Sequence, residues 1–166
     1  MSRNRFAALL TLIGSLMVVL GAFLPWVKVF GLGTVSIGGL EFSGGDAQIL
    51  LGVGTVLAFI TARVFLMKGR YTLADSVFAL GVAGFSVWVA LWNMAQVNVE
   101  TTQEATVGVG LWVVFLGGVT IAAGAATRIA DYLRHRKGER RSLGEVYSYY
   151  NSGKIPKNEP YSRRRH

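Results

Sequence analysis

Four apolar runs without a single charged residue, at 6–27, 47–62, 76–99 and 105–127, constrain this chain more than any other feature. A helix rises about 1.5 Å per residue and a bilayer core is roughly 30 Å thick, so about 20 consecutive apolar residues suffice to cross it. With their flanks, the runs predict spans near 6–27, 47–67, 72–97 and 106–128. The expected fold class is an all-α membrane protein, a four-transmembrane-helix bundle occupying 1–130 and followed by a basic tail over 131–166.

Composition supports this solvent assignment. Only 16% of the 166 residues are charged and 52% are hydrophobic, against about 25% charged in soluble domains. The spans leave two connections on one side, a tight turn on the other and a polar tail, so no room remains for a separate soluble catalytic domain. The absence of cysteine excludes disulfides, thiolate metal sites and thiol nucleophiles within the chain.

Charge placement predicts orientation. Of 17 Lys and Arg, only Lys28 falls in a segment on the side opposite to Arg3, Arg5, Arg63, Lys68, Arg70 and the eleven residues from Arg128 to Arg165. The positive-inside rule then makes both termini cytoplasmic and turns 28–46 and 98–104 outward. Those outward segments carry Glu41, Asp46, Glu100 and Glu104. The net charge of +8 follows from topology plus a tail suited to anionic headgroups, each basic side chain contributing about 1 kcal/mol near the surface. It therefore requires no nucleic acid. Arg134, Arg136, Lys137, Arg140, Arg141, Arg163, Arg164 and Arg165 are the candidate residues for binding lipid or an acidic partner.

Arg3 and Arg5 before an apolar run resemble the start of a signal peptide. The run is longer than a usual h-region, however, and Leu24-Pro25-Trp26 lacks the small-x-small pattern of a cleavage site, so a retained anchor is expected. Pro25 ends or kinks the first span, and Trp26 suits the outer headgroup layer, as do Trp92 and Trp112 near the ends of later spans. Between 27 and 46, Val27, Val29, Val35 and Ile37 alternate with glycines, a pattern of either a small β-hairpin or a glycine-rich surface loop. Near the inner end of the second span Arg63 has a stem long enough to snorkel. Asp75 opens the third span, where a helix cap or a local ion pair is the expected role and proton handling the alternative.

Glycine carries the expected helix contacts. Gly110, Gly117 and Gly124 recur every seven residues, Gly14 and Gly21 share that interval, and Gly118 adds a further small site. Small residues on one face let backbones approach closely in lipid, within a monomer or in a homo-oligomer. Hydroxyls at Thr11, Ser15, Thr55, Thr61, Ser86 and Thr120 can bond to their own helix carbonyls and so imply no water path. His135 and His166 lie in the tail, and no H-E-x-x-H, G-x-S-x-G or Walker pattern occurs, so neither catalysis nor a cofactor or metal is expected. In the tail, helix is expected through Lys137 with Gly138 as an interruption. Leu143, Val146, Tyr147 and Tyr150 are then spaced for a short interfacial helix, and disorder follows around Pro156 and Pro160.

The segments Phe23-Leu24-Pro25-Trp26-Val27, Gly44-Gly45-Asp46 and Gly108-Val109-Gly110-Leu111-Trp112 give residues 6–127 a resemblance to small four-span membrane proteins of actinobacteria and their phages. The resemblance implies the bundle fold and carries over no catalytic residue. The favoured class is a non-enzymatic membrane protein that uses its outer loops and basic tail to engage lipid or a membrane-protein partner. A holin-type pore former is the alternative, and a small-solute channel or transporter comes third.

Overall fold

The computed structural model describes residues 3–30, 34–42, 45–66, 72–100 and 105–151. In chain order these form α1 (Arg3–Phe23), β1 (Pro25–Phe30), β2 (Thr34–Gly38), α2 (Gly39–Phe42), α3 (Asp46–Leu66), α4 (Leu73–Glu100), β3 (Ala105–Val107) and α5 (Val109–Asn151). Four helices, α1, α3, α4 and the first part of α5, are long and apolar enough to cross a membrane.

The element ends follow from local chemistry. Pro25 lacks an amide hydrogen and disfavours helical backbone at the residue before it. Accordingly α1 stops at Phe23 and a strand begins at Pro25, four residues short of the expected end of the first span. Gly45 has φ 125°, a region L side chains rarely adopt, and its carbonyl accepts the Ile49 amide at 3.0 Å to start α3. Thr72 and Asp75 cap α4 reciprocally: the Thr72 amide donates to Asp75 Oδ2 at 2.8 Å, and the Asp75 amide donates to Thr72 Oγ1 at 3.2 Å. This is the capping-box arrangement, with Asp in place of the usual Glu or Gln.

A three-stranded antiparallel sheet of order β2-β1-β3 closes the connections at one end of the helices. Val27, Val29, Val35, Ile37 and Val107 supply β-branched residues that favour a pleated surface. In β1, Val27 faces both Ile37 and Val107, and Lys28 faces both Ser36 and Thr106. The expected fourth span, 106–128, therefore loses its first residues to β3, and α5 starts only at Val109.

The four helices close a ring. α1 contacts α3, and α3 contacts α4; Gly118 of α5 lies against Ala83, Ser86 and Val87 of α4. The ring is completed by α1 against antiparallel α5. A Cβ on Gly14 would stand 2.7 Å from the Gly117 carbonyl oxygen, one on Gly21 3.0 Å from the Gly110 oxygen, and one on Gly124 2.8 Å from the Ala7 oxygen. Between these glycines, Thr11 and Val18 of α1 and Val114 and Ile121 of α5 are fully buried. The seam thus steps by four and three residues on both helices, the 3.5-residue period that keeps one stripe facing one neighbour.

Compactness divides the chain into one unit of Met1–Ala130 and a second of Asp131–His166. In the second, α5 remains helical through Gly138 to Asn151, which corrects the expected interruption. An interior glycine costs about 1 kcal/mol relative to alanine, and no proline stands nearby to turn that cost into a break. The expected disorder near Pro156 and Pro160 lies outside the described residues.

Replacing Gly14 or Gly117 by alanine should destabilise the detergent-solubilised bundle by about 1–3 kcal/mol each, because the added methyl meets backbone that cannot swing away. Gly84→Ala, with nothing within 4 Å of its Cβ position, should leave stability unchanged or raise it by up to ~1 kcal/mol. Equilibrium unfolding in mixed micelles followed by circular dichroism checks the contrast.

Candidate functional site

Trp26 sits where β1 follows α1. Its ring is fully buried and is the largest fully buried side chain among the described residues. The indole Nε1 donates to the Gly21 carbonyl at 2.9 Å, which satisfies its one donor. Two glycines border the ring: a Cβ on Gly39 would overlap the indole, and one on Gly110 would stand 2.7 Å from its Cδ1. The Trp26 carbonyl accepts the Gly108 amide at 2.7 Å. The expectation of a headgroup-facing ring is therefore corrected for Trp26. The two glycines leave a slot of indole size, and only there does Nε1 reach a partner in the last turn of α1.

Trp92 and Trp112, by contrast, are exposed. Trp92 is 52% exposed and Trp112 52%, as is their neighbour Trp88 at 58%. Phe85, Trp88 and Trp92 form a ladder on α4 with ring centroids 6.1 and 6.2 Å apart, and Trp112 meets Phe115 edge-on at 6.4 Å. Such spacings lie within the range of favourable ring pairs.

Polar groups mark both ends of the α3–α4 pair. At the end nearer the sheet, Asn93 is only 2% exposed, and its Nδ2 donates to Asp46 Oδ2 at 3.2 Å and to the Val89 carbonyl at 2.9 Å. At the opposite end, Arg63 Nη2 lies 4.0 Å from Asp75 Oδ2, with side chains 51% and 14% exposed. With its guanidinium exposed and the two groups 4.0 Å apart, such a pair is worth about 0–1 kcal/mol. Sequence reasoning alone misses Asn93; an amide flanked by Leu91, Trp92, Met94 and Ala95 is the signal that could have found it.

Elsewhere in the spans, hydroxyls turn onto their own helices. Thr11 donates to Ala7 at 3.0 Å, Ser15 to Leu12 at 2.9 Å, and Thr61 to Leu57, Ser86 to Val82 and Thr120 to Leu116 at 2.8 Å. Among the described residues no three His, Cys, Asp or Glu side chains gather as metal ligands. Of the candidate basic residues, Arg134 and Arg136 are exposed on α5, and Lys137, Arg140 and Arg141 fall within its helical backbone. Arg163, Arg164 and Arg165 lie outside the described residues. The structure thus joins the seam glycines and Trp26 into one packed unit, Met1–Ala130, and assigns the first of the basic residues to the second unit.

In comparisons with known proteins, no family model and no curated sequence matches the chain.

Trp26 should be distinguishable from the other three tryptophans by lipid contact. In a variant carrying Trp88→Phe, Trp92→Phe and Trp112→Phe, emission from the remaining Trp26 should resist quenching by brominated acyl chains, whereas Trp26→Phe should leave a strongly quenched population. Trp26→Ala should cost about 3–5 kcal/mol of stability, measured by the same mixed-micelle unfolding.

Proposed function

We propose that this chain is a non-enzymatic integral protein of the plasma membrane, with both termini in the cytoplasm. It acts through two surfaces, the small sheet on the outer side and the basic tail on the inner side. The observation that carries this reading is the closed packing of the bundle: four apolar helices form a ring whose buried hydroxyls are bonded to their own backbones. Interiors that conduct ions or protons instead keep charged groups or broken helices near the midplane.

The same packing bears on the holin-type alternative. Gly14, Gly21, Gly110, Gly117 and Gly124 are occupied by α1–α5 contact within one chain, so the rows that suggested oligomerisation in sequence have an intramolecular partner. The basic residues of α5 remain available for interaction. Arg134 and Arg136 are exposed and suited to anionic headgroups or to an acidic face on a membrane-protein partner. Nucleic acid is not needed to account for the charge.

Two measurements test the proposal. Protease added to intact cells should spare a C-terminal epitope and digest it only after permeabilisation; trimming in intact cells would overturn the orientation. Induced expression should leave the membrane potential unchanged, and abrupt depolarisation at a fixed time would instead favour the pore former.

A further inference from the structure

A cleft of about 330 Å³ opens between α3 and α4, lined by Ile49, Val53, Phe78, Gly81, Val82 and Phe85. Its size falls at the small end of ligand pockets, which run roughly 300–1,000 Å³. Every lining side chain is apolar, and nothing stands within 4 Å of the place a Gly81 Cβ would occupy, so the floor there is bare backbone. Phe78 and Phe85, seven residues apart, are separated by about 10.5 Å along the helix axis. A methylene chain about 4 Å across is narrower than that spacing.

A cation lies beyond the Phe78 end of this apolar slot. Asp75 lies one turn from Phe78 on the same face of α4, and Arg63 Nη2 is 4.0 Å from Asp75 Oδ2. That separation exceeds hydrogen-bond range, and Oδ2 is already held by the Thr72 amide at 2.8 Å. With its side chain 51% exposed, Arg63 presents its planar fork of donors to the surroundings, a geometry matched to phosphate. An apolar slot with a guanidinium beyond its end has the polarity of a lipid, tail and head.

We infer that the α3–α4 cleft holds one acyl chain of an anionic phospholipid whose phosphate is bound by Arg63. This rests on the membrane-spanning reading of α3 and α4. A second copy of the chain is the competing occupant, but it would leave the match between Arg63 and an anion without a role.

Native mass spectrometry of the full chain in detergent, titrated with dioleoyl phosphatidylglycerol and dioleoyl phosphatidylcholine, tests the site. The unaltered protein should retain the anionic lipid about tenfold better. Arg63→Gln should narrow that preference severalfold, with the basic tail keeping the remainder, Arg63→Lys should restore part of it, and Gly81→Leu should lower retention of both. Circular dichroism verifies folding, and should Gly81→Leu not fold, the Arg63 pair alone decides. An unchanged preference in Arg63→Gln, or unchanged retention in folded Gly81→Leu, overturns the proposal. So does efficient disulfide dimerisation of Gly81→Cys, the sole cysteine in that variant, in bilayers. Release of the unaltered protein from membranes by alkaline carbonate would instead strike the membrane-spanning reading itself.

Discussion

Contact between the backbones of α1 and α5 is the constraint on which the remaining architecture depends. Water drives apolar helices together in soluble proteins, but hydrocarbon offers no such drive, and association in lipid relies on how closely atoms can approach. At Gly14–Gly117 and Gly21–Gly110 the approach leaves no space for a methyl group. The first and last spans are thereby joined along antiparallel stripes, and the slot for Trp26 arises where the stripe reaches its end: Gly110 forms one wall, and the last turn of α1 supplies the acceptor for the indole.

The α3–α4 half of the ring is held differently. α3 fits Gly54 against Val18 and Val19 of α1, yet its contact with α4 leaves a cleft, and Gly52 and Gly81 have no close neighbour. Polar pairs mark the two ends of this half, Asn93 with Asp46 and Arg63 with Asp75. A buried amide without a partner would cost about 1–3 kcal/mol, so the Asn93 bond fixes which turn of α4 faces the start of α3. The bundle accordingly combines a tightly joined half with a looser one.

Much of the fold is legible in the sequence because lipid imposes a coarse rule: about twenty apolar residues per crossing, with small residues where helices meet. Four helices able to span a membrane follow from that rule. Features set by three-dimensional coincidence are harder to read. Trp26 carries every sequence mark of an interfacial residue, including the adjacent proline, and only the convergence of Gly39 and Gly110 from distant segments makes it a core residue. The strand at Ala105–Val107 is hidden by its apolar character, since a short β-branched stretch reads equally well as the start of a span. Gly138 looks like a boundary, but one unfavourable residue is outweighed when the flanking Lys137, Glu139, Arg140 and Arg141 are good helix formers. Asn93 shows the converse, a modest polar residue whose importance depends on Asp46 arriving beside it.

The order of the sheet has a consequence for assembly. β1 is the middle strand, with one neighbour that emerges immediately after it and another, β3, that emerges only when three helices have been synthesised. During biogenesis β1 can therefore form its hairpin at once, yet its far edge and one wall of the tryptophan slot wait for the last insertion step. A chain arrested before Gly108 and Gly110 would display an unpaired strand edge and an uncovered indole together. The same few residues that seal the finished protein would thus advertise an unfinished one to the machinery that surveys nascent membrane proteins.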